Sequence, residues 1–410
     1  MKQIGLLGLM LGHLAFYQSV PAGTRDGAVY ARAEQYKGEA LRLLERLVNI
    51  DTGTGQEKGL DELAQILSGE LHQLGAQVEA VSSAPMAGKN VVATFTGNGK
   101  GRVLLIAHMD TVFKAGTASE RPFHVDGGHA YGPGVCDDKG GIVTGLYALK
   151  ILHDLNFHDF ATITFMLNSN EEVGSPGSRG LIESLARKHD AAFNLECGRI
   201  GDKLVSWRKG SGSIEVTVKG KASHAGNAPE LGRNAAMEVA YQMLQLSKLE
   251  DPAKLTMVNF TVVQSGDRQN VIPDLAHATA DVRTVNNDEF SRVERALADA
   301  VKNKLIPDTQ VTATLTRLFP PFPRNTATDA LAAKAQRVYS ELGLTLGTEG
   351  AGGAADSSLS AGVGTPSLDG LGIVGEGGHS PDEFIVLESV VPRFYLLARL
   401  IMETARGKQE

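Results

Sequence analysis

The sequence predicts an α/β fold in which helices cover both faces of a largely parallel sheet and a smaller ferredoxin-like domain interrupts it. Three observations predict this arrangement. Two short runs, 103–107 and 161–167, are almost continuously apolar, as in strands buried on both faces. Helical spacing of apolar residues occurs between these runs, which favours alternating strands and helices. Beyond Gly210 the apolar residues instead alternate with period two, which is typical of a sheet with one hydrated face.

The composition is that of a globular protein long enough for two or more domains. Of the 410 residues, 42% are hydrophobic and 21% are charged, which excludes a wholly disordered chain. The net charge is −7, from 40 basic and 47 acidic residues, so the chain lacks the electrostatic footprint of a nucleic-acid binder. After the N-terminus, no stretch reaches the roughly 18 consecutive apolar residues of a membrane helix. We therefore expect neither a nucleic-acid partner nor a membrane partner.

Residues 1–23 have the pattern of a secretory signal peptide. Lys2 precedes the largely apolar stretch 4–16, and small residues follow around Val20 and Ala22. A frayed hydrophobic N-terminus or a misassigned start codon would give a similar pattern, and His13 interrupts the apolar run. The sequence predicts a periplasmic or secreted protein, with a cytoplasmic protein as the alternative.

The first part of the larger domain, residues 24–209, begins with two amphipathic helices. Leucines spaced three and four apart mark one helix around 41–48 and another over 60–74, which Gly75 ends. Strands are then predicted at 103–107, 161–167 and 191–195, and helices at 141–155 and 180–188. Helical and glycine-rich patterns resume over residues 321–410, so the larger domain consists of two separated segments.

The segment 210–320 is predicted to be a compact insertion. Its elements follow the order strand, helix, strand, strand, helix, strand, which is that of a ferredoxin-like unit. The elements are expected at 214–218, 234–249, 256–263, 276–283, 288–304 and 311–318. Three prolines within 320–323 close the insertion. An insertion explains the return of the α/β pattern better than two domains in tandem.

Metal-ligand residue types follow the ends of three predicted buried strands and occupy two glycine-rich loops. In open α/β sheets, the loops at the carboxyl ends of the strands form one crevice. We therefore expect these side chains to converge, whatever their separation along the chain. In chain order they are His108, Asp110, Asp137, Glu171, Glu172, Glu196 and His379.

Imidazoles and carboxylates without a thiolate suit zinc, with manganese or cobalt as substitutes. Two histidines and three carboxylates can hold two ions if one carboxylate bridges them, and such ions lie roughly 3.5–4 Å apart in hydrolases. A water shared by the ions is acidic, and one carboxylate must stay off the metals to take its proton. The adjacent Glu171 and Glu172 fit this division, because neighbours in extended backbone point in opposite directions.

Taken singly, each motif has an ordinary structural explanation. A His-x-Asp pair is commonly a surface or capping pair, Glu-Glu is common on solvated faces, and Asp-Asp before a helix is usually an N-cap. Their joint occurrence at strand ends and in glycine loops, where a structural role would favour Gly, Ser or Asn, instead favours a metal site.

In combination and order these motifs resemble those of the co-catalytic zinc carboxypeptidases and amidohydrolases. The resemblance runs from about residue 35 to residue 405 and is nearest to the bacterial glutamate carboxypeptidases of the carboxypeptidase G type. Aminoacylases, dipeptidases and succinyl-diaminopimelate desuccinylase are relatives. It implies a zinc-peptidase three-layer α/β catalytic domain interrupted by a ferredoxin-like lid that dimerises. The motifs are His108-Met-Asp110, Gly132-Pro-Gly-x-x-Asp137-Asp138, Glu171-Glu172-x-Gly-Ser, Glu196, Gly220-Lys-Ala-Ser-His224-Ala-Gly and Gly-Gly-His379-Ser380.

The resemblance implies two Zn²⁺ ions per subunit, with Co²⁺ or Mn²⁺ as possible substitutes. The implied ligands are Asp137 as the bridge, His108 and Glu196 at one ion, and Glu172 and His379 at the other.

Two neighbours of these ligands also receive a role from the resemblance. Glu171 is the general base. Asp110 orients His108 and so determines which ring nitrogen faces the metal. In this family the peptide that joins Asp137 to Asp138 is typically cis.

The resemblance assigns further residues to the substrate. His224, in the inserted domain, would donate to the developing oxyanion when the lid closes, within its own subunit or across a dimer. Without the resemblance, His224 reads as a solvated histidine at a strand end. Arg283 and Asn270 are candidates for holding the substrate's free carboxylate, with a surface ion pair as the alternative for Arg283. Gly352 and Gly353 would let the main chain approach the substrate.

Two departures from the family pattern concern specificity and the metal loops. Phe319 stands where the glutamate-releasing members carry a basic residue, just before the proline that closes the insertion. Cys136 and Cys197 adjoin two of the implied ligands, and they cannot build a disulfide framework. We expect both to be small buried hydrophobic residues. A second hypothesis is that the thiols lie close together and that their oxidation disturbs the metal site.

The sequence thus predicts a dinuclear zinc hydrolase that cleaves the amide bond preceding a C-terminal amino acid. Its partner is a small molecule or short peptide with a free carboxylate, plausibly a C-terminal glutamate in folate-like, N-acyl or short peptide substrates. An aminoacylase or dipeptidase of the same chemistry is one alternative. A non-catalytic, metal-dependent amino-acid or peptide binding protein is another, although it would not need Glu171. A homodimer through the inserted domain is expected.

Overall fold

The structure is a computed structural model that describes residues 24–406. The predicted signal peptide, residues 1–23, lies outside the described residues. Helices occur at α1 Gly27–Val48, α2 Glu57–Gln73, α3 Thr117–Glu120, α4 Lys139–Asp154, α5 Arg179–Ala186, α6 Ala235–Leu246, α7 Asn287–Ala300, α8 Thr326–Ser340, α9 Ser357–Gly362 and α10 Val390–Ala405.

Strands occur in both segments of the larger domain and in the insertion. Their bounds are β1 Gln77–Ser82, β2 Lys89–Thr96, β3 Arg102–His108, β4 His124–Asp126, β5 His129–Tyr131, β6 Thr162–Asn168, β7 Ala191–Asn194, β8 Lys203–Arg208, β9 Gly210–Lys219, β10 Ser223–His224, β11 Met257–Ser265, β12 Val271–Ile272, β13 Leu275–Thr284, β14 Gln310–Phe319, β15 Gly347–Ala351, β16 Ser367–Leu368, β17 Gly375–Glu376 and β18 Phe384–Val386.

Several helices begin where a side chain caps the first turn. Asp26 accepts hydrogen bonds from two amides at the start of α1. Asn234, Asn286 and Asn325 each accept one amide N–H at the start of α6, α7 and α8. Such caps satisfy amide groups that have no partner within the helix, so they determine where these helices start.

The central sheet has the strand order β1-β2-β6-β3-β7-β16. The four strands from β6 to β16 are parallel to one another, as the apolar runs predicted. The antiparallel pair β1 and β2 at one edge was not predicted. Successive side chains of a strand point to opposite faces of the sheet. In β3, accordingly, Val103 and Leu105 face one core while Leu104 and Ile106 face the other.

Helices cover both faces of this sheet and make it the middle of three layers. The larger core lies between the sheet and the helices α1, α2, α4, α8 and α10. The smaller core lies between the opposite face and α5 and α9. The predicted three-layer α/β class is therefore confirmed. Within residues 24–406, no helix combines the length and apolar character needed to cross a membrane.

The insertion forms a separate antiparallel sheet with the order β11-β13-β9-β14. Along the chain, β9, α6, β11, β13, α7 and β14 reproduce the predicted ferredoxin-like order. Ile214, Val216 and Val218 of β9 pack into a core with residues of α6 and α7. Glu215 and Lys219 of the same strand are exposed. We call this unit, the four-stranded sheet and its two helices in residues 210–319, the lid.

The two chain crossings between the larger domain and the lid lie side by side. Arg208 and Phe322 exchange backbone hydrogen bonds of 2.9 and 3.0 Å. A Cβ on Gly210 would lie 2.7 Å from the nitrogen of Pro321, so a side chain at this crossing has no room. The lid is thus attached at one narrow connection next to the carboxyl end of β8.

A glycine contact inside the larger domain gives a test of this packing. A Cβ on Gly145 of α4 would lie 2.6 Å from both Leu195 and Phe165, beneath the site loops. We expect Gly145→Ala to lower the free energy of unfolding by about 1–3 kcal/mol through overpacking. Gly69→Ala in α2 is the matched control, because nothing lies within 4 Å of its Cβ. That control should stabilise the protein by up to about 1 kcal/mol. Urea unfolding followed by circular dichroism measures both, and equal stability of the two variants would contradict the packing described.

Candidate metal centre and active site

His108 is the last residue of β3 and is buried among the strand ends. Its Nδ1 lies 3.0 Å from the backbone carbonyl oxygen of Asp110. A carbonyl only accepts, so Nδ1 carries a proton and Nε2 is left to face the cavity. Nε2 lies 2.9 Å from Asp137 Oδ1 and 3.7 Å from Glu196 Oε1. The fold thus brings the ends of β3 and β7 and the loop before α4 to one point.

The Asp137 carboxylate lies between two imidazoles. Its Oδ1 faces His108, while its Oδ2 lies 3.2 Å from His379 Nε2. His379 Nε2 is also 3.0 Å from Glu172 Oε2. Asp137 therefore presents one oxygen to each of two ligand groups, which is the arrangement expected of a bridging carboxylate.

His379 reaches this position from a loop that only small neighbours permit. His379 itself has a φ of +68°, in the left-handed region that non-glycine residues rarely adopt. A Cβ on the preceding Gly378 would lie 3.1 Å from Asp137 Oδ2. The glycines before His379 are thus required for its close approach to Asp137.

The two adjacent glutamates diverge for a reason other than the predicted one. Residues Glu171–Val173 form a 3₁₀ turn, so the extended backbone that the sequence suggested is wrong. The carboxylate of Asp110 accepts the amide N–H of Glu171 at 2.9 Å and that of Glu172 at 3.2 Å. It also accepts the hydroxyl of Thr54 at 2.7 Å. Asp110 therefore holds the glutamate turn in place.

The role predicted for Asp110 needs correction in one respect. It does contact His108, but the closer acceptor for Nδ1 is the Asp110 backbone carbonyl, at 3.0 Å. The carboxylate oxygen Oδ1 lies farther away, at 3.4 Å, because the glutamate turn occupies it. Asp138, in turn, makes no capping bond to α4. The Asp137–Asp138 peptide is cis, as the resemblance implied.

Charge is concentrated in this cluster and shifts the ionisation of its members. Burial alone would raise the pKa of Asp137, but hydrogen bonds with His108 and His379 outweigh burial and hold that pKa below its usual value. Bonds to Asp137 and Glu172 raise the pKa of His379 to about 10. Burial and the nearby Asp137 raise the pKa of Glu196 to about 7. The cluster is therefore a set of acids and imidazoles that compete for protons.

Glu171 is a buried residue of the glutamate turn, with 9% of its surface exposed. Burial and the neighbouring Glu196 raise its pKa well above the usual value. Ligand atoms of Glu171, His108 and Glu196 lie within 4.8 Å of one another, as do those of His108, Asp137 and Glu172. Glu171 is thus placed beside the ligand set as a group able to hold a proton.

The residues present fit divalent cations. All donors are imidazole nitrogens and carboxylate oxygens, which are ligands of zinc and its usual substitutes. Glu172 Oε1 is buried and has no hydrogen-bond partner within residues 24–406. Burying several carboxylates together is costly unless a cation compensates them. His108, Asp137, Glu172, Glu196 and His379 could therefore hold two ions.

Arg208, at the end of β8, is a site residue that the sequence reasoning missed. It is 3% exposed, and its Nε lies 2.6 Å from Asp369 Oδ2. Its Nη2 lies 4.0 Å from Glu196 Oε2, and its Nη1 donates to the carbonyl of Gly353 at 3.3 Å. The signal that could have found it is a charged residue at the end of an apolar strand, just before the insertion.

The metal cluster lines a cavity of about 350 Å³, and the structure brings only some of the predicted substrate residues to it. Gly353 lines this cavity, whereas Gly352 lines a neighbouring one of about 520 Å³. The cavity is lined by Cys136, Asp137, Glu171, Glu172, Glu196, Cys197, Arg199, Arg208, Gly353, Ala354, Gly375, Glu376, Gly377, Gly378 and His379.

The predicted substrate residues of the lid do not line the cavity. His224 is exposed on β10, and its Nδ1 accepts the amides of Gly226 and Asn227 at 3.1 Å. Asn270 is exposed, and its carbonyl accepts the amide of Ala225. Arg283 is bonded to Asp281 at 2.9 Å, which is the ion pair considered as its alternative. The physical reason is that all three belong to the lid, which has its own core.

Cys136 and Cys197 form a disulfide, so the expectation of two free, inert thiols is wrong. Their Cα atoms are 5.4 Å apart although 61 residues separate them in sequence. The sequence could not show this, because their proximity follows from the meeting of two ligand loops. The first part of the second hypothesis, that the two sulfurs lie close together, is confirmed; its second part, that oxidation disturbs the metal site, stays a prediction.

Comparison with known proteins places these features in one family. The model of peptidase family M20/M25/M40 matches residues 104–403. The chain is 38% identical over 391 residues to carboxypeptidase G2 of Pseudomonas sp. (strain RS-16), with 94% of each chain covered. An aminopeptidase from Bacillus cereus has a similar fold, with a TM-score of 0.75, 22% identity, and coverage of 90% of this chain and 99% of its own. An M20 metallo-carboxypeptidase from Sulfolobus solfataricus also has a similar fold. Its TM-score is 0.72 and its identity 19%, with coverage of 90% of this chain and 99% of its own.

We predict that metal binding to this cluster releases protons. Ligands bind metals as neutral imidazole or as carboxylate. With a pKa of about 10, His379 is protonated at neutral pH in the metal-free protein, and Glu196, with a pKa of about 7, is partly protonated. Lowering the pH favours that protonated form, so zinc affinity should rise with pH from about 6 to 8. Calorimetric titration in two buffers of different ionisation enthalpy counts the protons released.

The variant His379→Asn is the control for this measurement. It keeps a polar side chain but removes the imidazole that holds a proton, so fewer protons should be released. Zinc affinity that does not change with pH, or equal proton release by the variant and the wild type, would contradict the assignment.

Proposed function

The chain belongs to peptidase family M20/M25/M40, and from this premise we propose that it is a dinuclear zinc carboxypeptidase acting on substrates with a C-terminal glutamate. Membership makes the chain a metal-dependent hydrolase, as the sequence predicted. One observation carries the rest of the proposal. The Asp137 carboxylate offers one oxygen to His108 and the other to His379, with a buried carboxyl group, Glu171, beside them.

In this proposal the two ions share Asp137. His108 and Glu196 hold one ion, and Glu172 and His379 hold the other. Ions bound there supply Lewis acidity that polarises a carbonyl and lowers the pKa of a water molecule. Arg208 supports Glu196 from behind, at 4.0 Å, and is itself held by Asp369.

Glu171 moves the proton in the proposed reaction. Its carboxylate accepts a proton from the attacking water and later donates it to the nitrogen of the leaving amino acid. The raised pKa that burial gives Glu171 suits a group that must both take and return a proton. Asp110 keeps the carboxyl group in place through the two amides of the turn.

The lid residues act on the substrate once the lid has closed, within one subunit or across a dimer. His224 Nδ1 accepts two amides, which leaves the proton on Nε2. That N–H would then stabilise the oxyanion. Arg283 would exchange its bond with Asp281 for the terminal carboxylate of the substrate, and Asn270 would add a further hydrogen bond. The narrow connection between lid and larger domain supports such a movement.

The side-chain carboxylate of a substrate glutamate needs a cationic partner. The metal cavity contains an arginine that the resemblance did not assign to this role. Phe319 is buried, and Arg179 lies over its ring at 5.4 Å. Arg199 is half-buried and lines both the metal cavity and the neighbouring cavity. Its guanidinium has no hydrogen bond or ion pair with another residue of the described range 24–406. We infer that Arg199 binds the side-chain carboxylate of the substrate.

Phe319 is also the observation that favours the second candidate function. An aminoacylase or dipeptidase of the same chemistry would need no basic residue at this position, and Phe319 is an apolar residue of the smaller core. A non-catalytic binding protein needs metal ligands but no proton carrier, so the buried Glu171 argues against it.

We also propose that the protein is a homodimer formed through the lid. Helix α6 exposes Met237 and Leu244, with 53% and 71% of their surfaces accessible. Strand β11 is an edge strand that pairs only with β13 in the described lid sheet, and it exposes Val262 and Val263. Unpaired edges and exposed apolar side chains of this kind favour a protein partner.

For the location of the protein we propose the periplasm or the exterior of the cell. The disulfide between Cys136 and Cys197 supports this proposal, because disulfides persist in oxidising compartments and are rare in the cytosol. It agrees with the pattern of residues 1–23.

The general base gives the first test of the proposed function. Glu171→Gln should lower kcat by at least about a hundredfold, because an amide cannot carry the proton. Zinc content should stay near two ions per chain. Assays with an N-acyl glutamate and elemental analysis measure the two quantities. Glu183→Gln, on α5 and outside the cavity, is the matched control and should keep wild-type activity. Full activity of the Glu171 variant would contradict the mechanism.

The glutamate preference gives the second test. We compare kcat/KM for the same acyl group on C-terminal glutamate and on C-terminal glutamine. Arg199→Gln should lower the glutamate-to-glutamine ratio by about tenfold or more, since a hydrogen bond to a charged group is lost. Lys203→Gln is the control, because Lys203 already pairs with Glu349 at 3.0 Å. An unchanged ratio in the Arg199 variant would reject Arg199 alone, whereas no hydrolysis of any glutamate substrate by the wild type would reject the glutamate preference.

A further inference from the structure

The disulfide joins the two loops that carry the ligands of one proposed ion. Cys136 immediately precedes Asp137, and Cys197 immediately follows Glu196. The bond therefore connects two metal ligands through one covalent path that bypasses the 61-residue separation of the cysteines along the chain. Both sulfur-bearing residues line the metal cavity, although each is less than a tenth exposed.

The disulfide packs so closely against Gly375 that a side chain has no room at that position. A Cβ on Gly375 would lie 2.8 Å from Cys136 Sγ and 3.0 Å from Cys197 Sγ. The disulfide thus packs directly against the backbone of β17, the strand that leads to His379. It lies at the point where three ligand loops meet.

We propose that the Cys136–Cys197 disulfide positions Asp137 and Glu196 for metal binding, and that its reduction weakens the binding of the ion they share with His108. This inference rests on the metal site of the proposed function. Metal binding needs Asp137 and Glu196 both as carboxylates, and two like charges on neighbouring, largely enclosed side chains repel each other. The covalent bond opposes their separation and so reduces the ordering cost that metal binding would otherwise carry.

Weaker contacts would hold the two loops after reduction. Glu383 accepts the amides of Cys136 and Asp137 at 2.9 Å, which anchors the first loop. The amide of Gly198 donates to the carbonyl of Ile373 at 3.0 Å, which anchors the second. Cys197 Sγ lies 3.4 Å from the same carbonyl, so a reduced thiol would have an acceptor there. Reduction thus releases the loops from each other without unfolding either.

The chemistry balances with a water-soluble trialkylphosphine as reductant. The sulfur–sulfur bond breaks and takes up two electrons from the phosphorus. One water molecule supplies its oxygen to the phosphine oxide and its two protons to the two thiols. A phosphine is preferred to a dithiol because dithiols bind zinc themselves.

The experiment measures zinc retention at a temperature at which the protein is folded. The samples are oxidised protein, phosphine-reduced protein, and the Cys136→Ala, Cys197→Ala and double variants. Each sample is titrated with a chelator, and zinc is counted by elemental analysis. In every form without the bond, we expect one ion per chain to be lost at a chelator concentration at least about tenfold lower than in oxidised protein. The second ion, held by Glu172 and His379, should follow the wild-type curve more closely.

The single variants separate the bond from the packing of the sulfurs. If the bond matters, each single variant already lacks it, so both should match the double variant. Three results would each overturn the proposal. The effects of the two substitutions on zinc retention could add up, the zinc curves could be identical to that of oxidised wild type, or the untreated wild-type protein could contain two free thiols. Wild-type protein that binds no zinc at all would instead reject the proposed function. Circular dichroism at the assay temperature shows that each form is folded.

Discussion

The constraint on which this structure depends is the burial of several like-charged side chains at one point. Asp137, Glu172 and Glu196 lie within a few ångströms of two imidazoles, and His108 is almost fully enclosed. Such a cluster is unfavourable unless protons or cations compensate it. A divalent ion does so while remaining exposed to substrate, which explains why a buried acidic cluster can also be an active site.

Three of the ligand segments contact a buried charged group that is not itself a proposed ligand. Asp110 accepts the amides of the glutamate turn, and Glu383 accepts three amides of the loop that carries Asp137. Arg208, bonded to Asp369, lies behind Glu196. Carboxylates that accept backbone amides determine the direction of a loop as well as its position. The geometry of the cluster therefore depends on this outer set of residues as much as on the ligands.

The two domains divide the proposed reaction between them. The larger domain carries the ligand cluster and Glu171, at the ends of buried strands and in two glycine-rich loops. The lid carries His224 and Arg283, which have their own hydrogen bonds away from the cavity. Because only one narrow connection joins the two parts, the position of the lid can change without disturbing the cluster. In the proposed reaction, His224 and Arg283 would therefore reach the cavity through closure of the lid or from a second subunit.

The sequence by itself determined the main buried strands, most of the longer helices and the residues proposed as the ligand set. These depend on local patterns: buried parallel strands are apolar without interruption, and the ligands follow their ends. The insertion was equally visible, because one hydrated sheet face produces strict alternation in β9. The resemblance added the assignment of each ligand, and the geometry places those residues together.

Only the tertiary structure decided which distant residues meet. It paired Cys136 with Cys197, placed Arg208 behind Glu196, and gave the carboxylate of Asp110 to the glutamate turn. It also showed the antiparallel pair β1 and β2, of which the edge strand β1 is largely exposed and has no continuous apolar run. The disulfide and the contact between Asp110 and Glu171 each join positions that are 61 residues apart. A periodic pattern reports the environment of one segment, whereas a contact depends on how several segments pack.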